Sequence, residues 1–160
     1  LWRCHADTQR LTAHHRRQMT HKLYLGLGSN LGNREENIRR ALALIDERVG
    51  SVYRVSSSME TDPVGFSSTN KFINLVCLVH TMMSPTSCLR ETQKIEQELG
   101  RTQKSTCIDG VMRHHDRTID IDLLTYDDIT MDTPELTLPH PRMKERDFVM
   151  IPLEEISLRA

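Results

Sequence analysis

The sequence predicts an α/β chain of the α+β kind: a mostly antiparallel sheet with helices packed on it. Three observations predict it. The elements read in the order strand, helix, strand, strand, helix, strand, as apolar spacing switches between a period of two and one of about 3.6. Between the second and third strands, Glu60 to Lys71 is rich in Thr, Asp, Pro, Gly and Ser and does not read as the helix a parallel doubly wound sheet would need. Finally, 160 residues without an internal repeat suit one domain large enough to bury a core.

Leu1 to His21 is rich in Arg, His, Thr and Gln, lacks periodicity and has no apolar signal-peptide core. It is expected to be a disordered extension, with residues 22–160 forming a single domain. Leu23 to Gly28 is a short buried strand and Ser29 to Gly32 a turn. Asn33 can cap a helix, with Glu36 three residues on as in a capping box. Ile38, Ala41, Leu42, Ile45 and Val49 follow the helical period, and Gly50 ends it. Gly26, Gly28 and Gly32 are spaced one residue too widely for a dinucleotide-binding fingerprint.

Val52 to Met59 alternates as a half-buried strand does. The loop of about a dozen residues after it is longer than ordinary connections and so a candidate for function. Phe72 to Val79 is the strongest strand in the sequence; within it the amide of Asn74 needs a partner. Ser84-Pro85 caps a second helix whose buried stripe is Cys88, Thr92, Ile95 and Leu99, with Gly100 as its stop. Arg101 to Asp116 reads as a mobile loop. A strand follows to Tyr126, then a short one at Leu136 to Leu138. Pro139-His140-Pro141 breaks the chain before Phe148 to Ile156 returns to the core. This order is the split βαβ, ferredoxin-like arrangement.

A net charge of −1 provides no field to recruit nucleic acid or an anionic membrane, and no run is long enough to span a bilayer. Cys4, Cys77, Cys88 and Cys107 form no C-x-x-C pair and no zinc spacing, which favours a reducing, cytoplasmic setting. Chemistry concentrates in Arg117 to Leu124. In a strand, Asp120 and Asp122 share one face with Cα atoms roughly 6–7 Å apart, while Ile119, Ile121 and Leu123 take the other. Oxygen-only donors in an open arrangement suit Mg²⁺, and a nearby guanidinium such as Arg117 helps to hold polyphosphate. A solvated pair of acids is the commoner fate of a bare D-x-D.

Tyr24 to Gly32, Phe72-Ile73-Asn74, Gln93 to Glu96, Gly100-Arg101-Thr102, Arg117 to Asp122 and Pro139-His140 together resemble 6-hydroxymethyl-7,8-dihydropterin pyrophosphokinase, in that family's order, from Lys22 to about Ile156. The resemblance implies a ferredoxin-like fold. It also implies transfer of the β,γ-pyrophosphoryl group of ATP to the pterin hydroxymethyl group in folate biosynthesis, with AMP released. It assigns Asp120 and Asp122 to two Mg²⁺ ions, and Arg101 and Arg117 to the phosphates as the catalytic pair. Gln93, Glu96, Arg101, Leu123, Thr137, His140 and Arg146 match ATP-binding positions. Thr61, Asp62, Val64, Phe72, Asn74 and Phe148 match the pterin site, with the two phenylalanines stacking the heterocycle. ATP and the pterin are then the partners, with no nucleic acid, membrane or protein partner implied.

The chain departs from the family at five places. One is the loop from Arg101 to Asp116, a few residues longer than in some relatives, where Arg113 or His114 could substitute for a missing arginine. His115-Asp116 stands where Gly-Pro usually precedes the strand arginine. Gln103 replaces a second loop arginine, Pro141 a tyrosine, and the chain stops at Ala160, short of a C-terminal segment many members carry. The alternative is a ferredoxin-like ligand-binding module without chemistry. Such a module needs neither the acid pair nor the arginines.

Overall fold

The computed structural model describes residues 20–63, 70–100, 105–108, 111–114 and 116–157. In chain order it contains β1 (His21–Ser29), α1 (Arg34–Arg48), β2 (Ser51–Val55), β3 (Met59–Thr61), β4 (Phe72–Thr81) and α2 (Pro85–Glu98). There follow β5 (Ser105–Ile108), β6 (Val111–His114), β7 (Asp120–Tyr126), β8 (Met131–Asp132), β9 (Thr137–Leu138), a 3-10 turn (Met143–Glu145) and α3 (Asp147–Ser157).

β1 is central because it is two-sided. Leu23, Leu25 and Leu27 are no more than 2% exposed and enter the core, while on the opposite face Gly26 and Gly28 leave the second half of the strand without side chains. The strand pairs antiparallel with β4 on one side and β7 on the other, and β4 takes β2 and β3 on its far side. Each of the first two helices therefore joins strands separated by a third, the split βαβ plan read from the sequence.

α1 and α2 cover the leucine face, where Ile38, Ala41, Ile45, Cys88 and Ile95 meet Leu75, Cys77, Val79 and Ile121. The expected caps form: Asn33 accepts the Glu36 N–H, and Ser84 accepts the Ser87 N–H. Only half of the capping box does, because the Glu36 carboxylate turns to Arg39 instead. α3 lies on the other face, with Val149 and Ile156 packed on Val76, Leu78 and Leu124. Among the described residues no helix is long and apolar enough to cross a membrane.

The structure differs from the sequence reading in several places. β1 begins at His21, one residue before the expected domain boundary; residues 1–19 lie outside the described residues. The strand read from Val52 to Met59 is two strands. At Ser56 the hydroxyl, rather than a backbone carbonyl, accepts the Val76 N–H, which interrupts the ladder. The register also shifts between Val52 and Arg54, and Tyr53 and Val55 are exposed. Within the expected loop from Arg101 to Asp116, β5 and β6 pair as an antiparallel ladder.

Candidate active site

β7 alternates as the D-x-D pattern requires. Ile121 and Leu123 are buried, while Asp120 and Asp122 are half-buried on the face away from α1 and α2. Across the strand pair, Asp120 sits opposite Gly28 and Asp122 opposite Gly26. One strand further on, Gly28 sits opposite Asn74. Two residues without side chains thus separate the carboxylates from the amide. Phe72 shares this face by strand parity, and Phe148 reaches the same side of the sheet by packing on the cluster around Val76.

Those predicted partners of the acids and rings that lie among the described residues have definite places. Arg117 donates to Asp120 Oδ2 at 3.1 Å, and its guanidinium also stands 5.5 Å above the Phe72 ring. Asn74 donates to Thr61 Oγ1 at 2.7 Å, which supplies the partner its position in a strand demands. Arg146 lies 5.7 Å over the ring of Phe148. Asp62 is exposed beside Thr61; Val64 and Arg101 lie outside the described residues.

The positions expected to serve ATP are more scattered. Gln93 is exposed on α2 and Thr137 half-buried on β9. His140 is anchored by its N–H to the Leu124 carbonyl at 2.8 Å, and its Nδ1 accepts the Arg142 N–H. Glu96 is 4% exposed, and its carboxylate accepts the Ile121 N–H at 3.1 Å, between the two acids. Glu96 is therefore not an exposed helix residue. Leu123 is 3% exposed and packs in the core on the helix side of the sheet, the face opposite the acid pair.

The sequence reading missed Asn30 and Asp116, which it took for a turn residue and a mere departure from a motif. Asn30 is 3% exposed and joins the end of β1 to the entry of β7 through paired bonds with the Arg117 backbone. An asparagine directly after a buried strand, flanked by glycines, was the available signal.

As a cation site the face provides two carboxylates on one strand, side-chain-free neighbours, and a guanidinium within bonding distance. No group of three or more His, Cys, Asp or Glu converges among the described residues. That donor set does not cage a metal by itself. It fits a hard ion that keeps water and shares phosphate oxygens, as Mg²⁺ does.

A family model for 7,8-dihydro-6-hydroxymethylpterin-pyrophosphokinase (HPPK) matches residues 24–158. A 2-amino-4-hydroxy-6-hydroxymethyldihydropteridine pyrophosphokinase of Porphyromonas gingivalis is 46% identical over 136 residues, covering 84% of this chain and 90% of the relative. The Bacillus subtilis protein of the same name is 42% identical over 139 residues, covering 86% and 79%. Among solved structures, a Plasmodium falciparum HPPK-DHPS superposes with a TM-score of 0.68 at 17% identity over 86% of this chain. The chain spans 42% of that protein's length, and at that identity the likeness bears on the fold alone.

Proposed function

This chain belongs to the 7,8-dihydro-6-hydroxymethylpterin-pyrophosphokinase family, and from that premise we propose how its sheet face performs the reaction. The enzyme moves the pyrophosphoryl group of ATP to the hydroxymethyl oxygen of 6-hydroxymethyl-7,8-dihydropterin in folate synthesis. Two phosphorus atoms leave together, so the nucleotide product is AMP rather than ADP.

Asp120 and Asp122 are the residues that would hold divalent cation, two Mg²⁺ ions in this reading. Bound there, magnesium neutralises phosphate charge and acidifies the attacking alcohol. Arg117 places a guanidinium beside those carboxylates, where the transferred phosphates must lie, and Arg101 is assigned a similar task from its sequence position. Phe72 and Phe148 stack the pterin, while Asn74 and Thr61 present hydrogen-bonding groups to its edge; Asp62 and Val64 complete that edge. Gln93, Glu96, Thr137, His140 and Arg146 serve the nucleotide. Glu96 also steadies the backbone between the two acids. Catalysis of this kind is mainly positioning and charge compensation. The buried free thiols of Cys77 and Cys88 accord with a cytoplasmic setting.

One observation carries this assignment: the acid pair and the Phe72–Asn74 pair share one sheet face, separated only by Gly26 and Gly28. The test is AMP formation from ATP, Mg²⁺ and the dihydropterin. Wild-type protein is expected to release AMP, and Asp122→Ala to lose at least about a hundredfold in turnover. Full turnover by folded Asp122→Ala would remove that carboxylate from the cation site.

A further inference from the structure

Three chain segments meet at a carboxylate that the chemistry above leaves unused. Asp116 Oδ1 accepts the Asn30 side-chain amide at 2.7 Å, and Oδ2 accepts that of Asn70 at 3.1 Å. The rest of Asn30 is committed to neighbouring backbone. Its Oδ1 takes the Arg117 N–H at 2.6 Å, its N–H donates to the Arg117 carbonyl at 3.0 Å, and its amide also reaches the Asn70 carbonyl at 3.2 Å. Asn30 therefore cannot turn its amide over without aiming a donor at the Arg117 N–H. An anionic acceptor between two amide donors forms charge-assisted bonds, the stronger kind.

The location gives the cluster its meaning. Asn30 directly follows β1, Asn70 lies two residues before Phe72, and Asp116 immediately precedes Arg117. Phe72 belongs to the pterin wall and Arg117 to the phosphate wall. The usual Gly-Pro before the strand arginine has no carboxylate to offer, so the device depends on this chain's own Asp116.

We propose that Asp116 is a positioning residue that ties the two walls of the site together, holding Arg117 through Asn30 and the entry to Phe72 through Asn70. It touches neither substrate. The inference rests on the reading that places phosphates at Arg117 and pterin at Phe72.

The test uses Asp116→Ala, Asp116→Asn and Asn70→Ala in the full chain, with kinetics for each substrate, melting temperature, and NMR amide exchange at Arg117. Asp116→Ala is expected to lower kcat/KM for both substrates by roughly tenfold or more, since small misplacements of a site group are costly. Asp116→Asn keeps one acceptor oxygen and should fall between it and wild type. Asn70→Ala should raise the pterin KM while the ATP KM stays within about twofold, because it leaves in place the Asn30–Asp116 bond and the Asn30 bonds to the Arg117 backbone. The Arg117 N–H should exchange about tenfold faster in Asp116→Ala, the effect of weakening one hydrogen bond.

A lower melting temperature with both KM values and the Arg117 exchange rate unchanged would reduce Asp116 to a stabilising contact and overturn the inference. Exchange needs no turnover. Should wild-type protein release no AMP, the site reading falls, and the exchange rate alone decides whether Asp116 positions Arg117.

Discussion

A Cβ built on Gly28 would lie 2.7 Å from Asn74 Oδ1 and 3.5 Å from the Phe72 ring. The first contact is too short to keep, and Asn74 is not free to swing, since its Nδ2 is bonded to Thr61 Oγ1. Any side chain at 28 therefore pushes the amide out of place or forces β1 and β4 apart. Gly28→Ala is expected to raise the KM for the pterin by about tenfold, with a smaller change in the KM for ATP. Overpacking of this kind also costs roughly 1–3 kcal/mol of stability. Steady-state kinetics with each substrate varied in turn checks the split; equal changes in both constants would mean that the crowding acts on the whole sheet. At this scale the sequence was a partial guide. It marked Gly28 as part of a glycine cluster and Asn74 as an anomaly, but the fact that each explains the other depends on a strand pairing that no local pattern displays.

A buried acid links α2 to β7 beside their apolar packing. Glu96 accepts the Ile121 N–H, and Ile121 stands between Asp120 and Asp122, so the helix fixes the stretch of backbone that presents both carboxylates. Removing the acceptor leaves a buried N–H unsatisfied, at a cost of about 1–3 kcal/mol. Glu96→Ala is therefore expected to be destabilised by that amount in denaturant unfolding, and Glu96→Gln, which keeps an oxygen, by much less. Equal losses in the two variants would show that the charge, rather than the acceptor, matters. Local signals made most elements legible. Asn33 and Ser84 cap their helices as read, and Ile38, Ala41, Ile45 and Ile95 are buried on the predicted stripes. The break between β2 and β3 was not legible, because it arises where the Ser56 hydroxyl meets Val76 on another strand. The β5–β6 ladder had a local signal that the charged surroundings obscured. Asp109-Gly110 separates two short runs of strand-forming residues, the commonest dipeptide pattern for a hairpin.

Across the whole molecule, the site depends on the register of β1 against β7, for a slip of one residue would turn the carboxylates to the wrong face. That register is held at both ends and shifts between them, at Tyr24 and Leu25. At the site end the Asn30–Arg117 bonds hold it. At the far end Asp127, in the left-handed region at φ 48°, accepts the Lys22 N–H at 2.7 Å and a bond from His21 Nδ1 at 2.6 Å. The Asp127 N–H returns to the Lys22 carbonyl at 2.9 Å. Partial burial pushes the Asp127 carboxyl upward, but the Lys22 N–H and His21 together outweigh it and hold the group below the usual carboxylate range. A carboxyl depressed in the folded state adds stability that is present at neutral pH and lost as pH falls through the folded value, which here means below about pH 4. Asp127→Asn can still accept the Lys22 N–H and tolerates the left-handed backbone, but it does not titrate. Wild-type protein should therefore melt higher than Asp127→Asn at pH 7, with the gap closing as pH drops from about 4 toward 2. A gap constant over that range would mean that the latch works by shape alone. Because Asp127 lies at the opposite end of β7 from the acids, AMP formation at neutral pH should change little in the same variant. A large loss of turnover would show that the two pins on β1 act on the site together.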